Sequence, residues 1–145
     1  MLHSKLTSLG FDIEEEQIFS SLTATKSFLQ NEQLKPHLML EDAVLKDFRE
    51  LLTEPNEHKG QAVVVGLAPS HFNYKSMNLA LNKLIMEKAK LVAIHQGRYF
   101  MSPQGMMLGP GPFVKALAYG ADLPENQIIV VGKPEKNFFM LALKS

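Results

Sequence analysis

Apolar residues along this chain follow two kinds of spacing, and each predicts a different element. Leu2, Leu6 and Leu9 lie four and three apart, as on one face of a helix that Gly10 can end. Asp12 and Glu15 have the spacing of a helix-capping pair, and a second helix follows with Ile18, Phe19 and Leu22. A third is predicted through Lys26, Phe28 and Leu29, and Lys35-Pro36 interrupts the pattern. His37 to Glu41 is predicted as a strand, after which Asp42 caps a short helix carrying Leu45, Phe48 and Leu52. Thr53 to Gly60 is polar and turn-rich, hence a surface loop.

The second half opens on Ala62-Val63-Val64-Val65, a continuous run expected of a strand covered on both faces. Tyr74, Met77, Leu81, Leu84 and Ile85 then form a helical stripe. Leu91 to Ile94 is a further strand, and Arg98 to Leu108 a hairpin turning at Ser102-Pro103-Gln104-Gly105. Phe113, Ala116 and Leu117 open a helix that ends near Gly120. Ile128 to Val131 is a second doubly covered strand, and Glu135 to Leu143 a last helix. Such alternation predicts an α/β fold with a largely parallel sheet and a local antiparallel part.

The chain has 145 residues, enough for one domain with a sizeable core. Fifteen basic and fifteen acidic side chains cancel, so binding of nucleic acid through overall charge is not expected. No apolar run reaches the roughly 20 residues that span a bilayer, so no membrane partner is expected. There is no cysteine, which excludes disulfides, thiolate metal sites and cysteine nucleophiles, and fits a cytoplasmic location.

Candidate chemistry is sparse. His3, His37, His58, His71 and His95 never pair at the i, i+4 spacing of a zinc helix. His95 is the best placed, at the end of a predicted buried strand, where functional groups collect in α/β sheets. A hydrogen-bonded structural histidine is the competing reading. Gly109-Pro110-Gly111-Pro112 lacks the residues of a phosphate loop, and its prolines remove N–H donors. It is read as a sharp strand-to-helix connection. Lys133 stands between a predicted strand and a predicted helix, where a cation can hold a phosphate or carboxylate. On spacing alone, a solvated surface lysine is the simpler reading. Asp12, Asp42, Asp47 and Asp122 form no DxD pair, and there is no GxSxG elbow.

Taken in order, several stretches resemble the haloacid dehalogenase-like phosphatases that carry a large α/β cap. They are Leu9-Gly10-Phe11, Ile18 to Ala24, Val65-Gly66-Leu67-Ala68-Pro69, Leu91 to His95, Leu108 to Phe113, and Val131 to Phe139 with its Gly132-Lys133-Pro134. The resemblance implies a cap with a mixed sheet flanked by helices, plus remnants of a Rossmann-like hydrolase core. It divides the chain into a core remnant over 1–19, the cap over 20–126, and a second core remnant over 127–145 that includes the strand from Ile128.

In such enzymes two aspartates of a DxD motif act as nucleophile and acid/base, a lysine steadies the phosphate, and an acidic motif holds magnesium. The resemblance carries only the lysine over, as Lys133. It implies a magnesium-dependent enzyme acting on a small phosphorylated substrate. With no DxD motif, this chain alone is expected to be inactive and to hold no magnesium with its own ligands. The segment Ile94 to Tyr99 corresponds to the cap's substrate-facing part, which makes His95 and Arg98 candidate substrate contacts. A non-catalytic module that forms a homodimer through the cap is the alternative.

Overall fold

The computed structural model describes residues 2–13, 20–53, 58–132 and 143. The expected Asp12–Glu15 cap, the positions of Ile18 and Phe19, Lys133 and most of the last helix lie outside the described residues. The elements, in order, are α1 (Leu2–Ser8), α2 (Ser21–Asn31), β1 (Leu34–Met39), α3 (Asp42–Leu45), α4 (Arg49–Thr53), β2 (Gly60–Val65) and α5 (Tyr74–Met86). They continue with β3 (Lys90–Ala93), β4 (Tyr99–Ser102), β5 (Gly105–Leu108), α6 (Gly111–Gly120) and β6 (Ile128–Val130). Strands β1, β2, β3 and β6 form one parallel sheet in that spatial order, and β4 and β5 a separate antiparallel ribbon. The expected parallel and antiparallel parts are therefore both present, as two sheets.

The run Ala62 to Val65 is apolar throughout because helices cover both faces of β2. Ala62 and Val64, with Val92 of β3, pack with Ala24 and Leu29 of α2 and with Phe48 and Leu51. Val63 and Val65, with Leu91 and Ala93, pack with Ala80 and Leu84 of α5 and Val114, Leu117 and Ala118 of α6. The side chains of Ala62 to Val65 are fully buried, and each valine contributes about 1.5–3 kcal/mol by leaving water.

Local signals behave as their chemistry requires. Ser20 caps α2 by accepting the Thr23 N–H, and Asn73 caps α5 by accepting the Ser76 N–H. Gly10, at φ +90°, ends α1, where the Phe11 N–H bonds the Leu6 carbonyl and the Gly10 N–H bonds that of Thr7.

Four expectations are corrected. β1 starts at Leu34 and runs through Pro36, which an edge strand tolerates because, among the described residues, one side of it has no ladder to break. Asp42 is the first residue of α3 rather than its cap, and the cap position is held by Glu41. Leu51, not Leu52, enters the core. A 3-10 turn over Lys46–Phe48 rotates the following helix, so that Leu51 is buried while Leu52 is half out in solvent. Finally, the strand from Ile128, expected to be covered on both faces, lies at the end of the strand order and pairs with β3: Leu91 opposite Ile128 and Ala93 opposite Val130. As an edge strand it is only partly covered at Ile129 and Val130.

Candidate functional site

All four parallel strands end at one edge of the sheet, where the loops that follow them meet. After β1 and β2 the two loops are tied together. Glu41 accepts hydrogen bonds from the Ser70 backbone N–H and hydroxyl, each at 3.0 Å, so the unused capping carboxylate becomes a cross-loop link. After β3 comes the segment Ile94 to Arg98. After β6 come Val131 and Gly132, whose N–H donates to the Ile94 carbonyl at 2.8 Å. Lys133 is the next residue in the sequence.

The segment after β3 is held by glycines. The Gly109 N–H donates to the Arg98 carbonyl at 3.0 Å, and the Gly111 N–H to the Gly97 carbonyl at 2.9 Å. A Cβ on Gly111 would lie 2.6 Å from the Gln96 carbonyl oxygen, and one on Gly109 or Gly132 would collide with the Gly97 or Ile94 carbonyl. The glycines of Gly109-Pro110-Gly111 thus allow the start of α6 to press directly on the loop that carries His95 and Arg98. Across this junction Phe72, which follows β2, stacks on Phe113 of α6, with ring centres 3.8 Å apart.

His95 is half-buried, and its Nδ1 accepts the Gly97 N–H at 3.2 Å. That bond assigns the neutral tautomer with the proton on Nε2. Burial lowers the His95 pKa below the ordinary histidine value, which favours the same form. His95 therefore offers a neutral N–H donor at pH 7 rather than the cation expected of an anion binder. Arg98 is exposed, and it supplies the positive charge of this segment. Gln96, which sequence reasoning passed over, lies between them. Its Nε2 is enclosed without a hydrogen-bond partner. No local pattern marks it, because the enclosure comes from packing around the loop.

Among the described residues, no group of three or more His, Asp or Glu side chains could hold a metal ion. No helix among the described residues is long and apolar enough to cross a membrane. A cavity of about 400 Å³ lies at the other end of the sheet, lined by Leu84, Lys88, Leu91, Leu123 and Ile129. It faces the strand beginnings and is separate from the candidate site, which the loops at the carboxyl ends of the strands define.

No family model matches the chain. The chain is 47% identical over 144 residues to haloacid dehalogenase-like hydrolase domain-containing protein 2 of Homo sapiens, covering 99% of this chain and 52% of that protein. Against phospholysine phosphohistidine inorganic pyrophosphate phosphatase of Homo sapiens the identity is 36% over 146 residues, with 99% and 51% covered. The fold is similar to that of a thermostable p-nitrophenylphosphatase from Bacillus stearothermophilus, with a TM-score of 0.80 and 26% identity over 97% of this chain and 54% of that one. A p-nitrophenyl phosphatase from Archaeoglobus fulgidus gives a TM-score of 0.80 and 25% identity, with 99% and 54% covered. The chain thus spans about half the length of the curated relatives it matches.

Proposed function

We propose, from its homology along nearly its whole length to one half of haloacid dehalogenase-like hydrolases, that this chain is the cap-bearing portion of a magnesium-dependent phosphatase. The observation that carries this reading is the continuous match, 99% of the chain at 47% identity, together with a shared fold at TM-score 0.80. In this reading residues 20–126 form the cap, extended by the strand that pairs with β3, and the flanking segments belong to a hydrolase core. The substrate is a small phosphorylated molecule, and the location is cytoplasmic.

Each side chain then has a separate task. Lys133 balances phosphate charge and steadies the nucleophile supplied by the hydrolase core. Arg98 attracts the anion from the exposed rim. His95, neutral and donating from Nε2, bonds an oxygen of the leaving group without adding charge. Magnesium, when held by the acidic motif of the core, neutralises charge on the transferring phosphoryl group. The chain's own residues bind and orient, but they provide neither an in-line nucleophile of DxD type nor a described metal site.

The test is turnover of p-nitrophenyl phosphate with magnesium. It compares this chain with a chimaera in which the flanking segments of the 47% identical relative are joined to its ends. The chain alone should give no turnover, and the chimaera should turn over with strong dependence on Lys133. Robust turnover by the chain alone, abolished by Lys133→Ala, would refute the division of labour. A second reading, a non-catalytic module that self-associates through the cap, is favoured by one feature. The β4–β5 ribbon leaves large apolar side chains in solvent.

A further inference from the structure

The cavity at the strand beginnings lies outside the candidate site, and its lining has a chemistry of its own. The four residues of β3, roughly 13 Å of extended chain, separate it from the segment that carries His95 and Arg98. Its volume, about 400 Å³, falls in the range of small-molecule pockets. Leu84 of α5, Leu91 of β3, Leu123 and Ile129 of β6 form an apolar lining without an aromatic ring. Leu123 and Ile129 are only partly buried, so apolar surface is left for an occupant to cover.

The polar part of the lining is one-sided. Lys88 and Lys90 bring positive charge, Asn126 and Gln127 bring side-chain amides, and no carboxylate lines the cavity. Lys90 is shared with Glu32, whose Oε2 lies 3.5 Å from the lysine Nζ. Lys88 has no ion-pair partner among the described residues, so its charge is uncompensated. Its backbone is unusual as well. Lys88 follows the end of α5 at φ +54°, where glycine is the common residue, and the Ala89 N–H beside it donates to the Lys83 carbonyl at 3.1 Å. A residue with a Cβ is disfavoured in that conformation, yet here it sets an ammonium group at the rim of the cavity.

We propose that this cavity binds an aliphatic monocarboxylate, its chain among the leucines and its carboxylate at Lys88. Three features select this class. One uncompensated charge matches a monoanion better than a phosphate dianion. An ammonium group is a compact point charge, without the planar fork that grips phosphate through two oxygens. Branched aliphatic side chains offer contact to methylene groups but no ring on which an aromatic body could stack. The amides of Asn126 and Gln127 supply further donors for the carboxylate. The proposal goes beyond the phosphatase reading and does not depend on it.

The experiment is a titration of the full 145-residue chain with octanoate, followed through its backbone amide resonances. Shifts are expected at Lys88 to Leu91 and at Leu123 to Gln127, and not at Ile94 to Arg98. A ligand of this size should saturate the site with a dissociation constant of roughly 0.1–1 mM. Octanamide, neutral and of the same shape, should bind about three- to fivefold more weakly, the effect of one exposed charge pair. Lys88→Gly should weaken octanoate by that factor and leave octanamide unchanged. Because glycine suits φ +54°, the urea midpoint of this variant should be no lower than that of the unaltered chain, which separates lost binding from lost folding. Leu123→Phe, which fills the cavity, should weaken both ligands. Octyl phosphate should bind there no more tightly than octanoate. Absence of saturable shifts at the cavity, equal affinity for octanoate and octanamide, or octanoate binding untouched by Lys88→Gly overturns the proposal. Tighter binding of octyl phosphate at the cavity also overturns it, in favour of a phosphate ligand.

Discussion

Replacing Gly111 by alanine tests whether the start of α6 holds the candidate substrate segment. A Cβ at that position would stand 2.6 Å from the Gln96 carbonyl oxygen and 2.9 Å from that of Gly97. The nearer carbonyl must retreat by about 0.8 Å to reach ordinary contact. It is backbone, so the whole segment from His95 to Arg98 must move with it. Forcing a methyl group into such packing costs about 1–3 kcal/mol. Weakening the bond from the Gly111 N–H to the Gly97 carbonyl adds about 0.5–1.5 kcal/mol. The reduced freedom of the unfolded chain returns about 0.4–1 kcal/mol. The net expectation is a loss of about 0.5–4 kcal/mol, read as a lower urea midpoint with an unchanged slope. Gly105→Ala is the comparison. Gly105 has φ +110° with nothing within 4 Å of a built Cβ, so its strain is confined to the turn. The imidazole resonances of His95 distinguish the two variants. Gly111→Ala should shift them, because it displaces the Gly97 N–H that His95 accepts, and Gly105→Ala should not. If Gly111→Ala unfolds at the wild-type midpoint with His95 unmoved, the clamp does not exist.

Two further outcomes follow from burial and charge. Leu51→Ala should cost about 2–5 kcal/mol, while Leu52→Ala should stay within about 0.5 kcal/mol, as measured by urea denaturation. Equal losses at the two sites would mean that the 3-10 turn does not set the phase of α4. For pH, His37 is held below the ordinary histidine value by burial first, then by the charges of Lys83 and His71, against an opposing effect of Glu87. His95 is lowered by burial alone. A histidine whose pKa is depressed on folding takes up its proton more readily in the unfolded chain. The stability is therefore fully present above the unfolded pKa near 6.5 and is lost as pH falls through the folded values. Denaturation at pH 7.5 and pH 5.5 should show this loss, and His37→Gln should shrink it. Stability that rises on acidification through that window would contradict both assignments.

Much of the architecture was legible in the residues themselves. The continuous run of β2 announced a strand covered on both faces, the Ser102-Pro103-Gln104-Gly105 turn announced the hairpin, and Gly10 ended α1 through its left-handed backbone. These are features of neighbouring residues, and their energetics act within one or two turns of chain. The candidate site was legible in part. His95 was placed at a strand end by its position, but its charge state followed from a bond to Gly97 and from burial.

The tertiary structure decided what depends on segments far apart. Pro36 became acceptable in a strand only because β1 lies at the edge of the sheet, and the strand from Ile128 found its place only by pairing with β3. Gln96 became a residue of interest because the loop around it closed. Glu41 changed from a capping residue into a link to Ser70, 29 positions away. Spacing and propensity report what a residue can do beside its neighbours. Which backbone carbonyl meets Gly111, and which strand ends an edge, is settled by the packing of the whole chain.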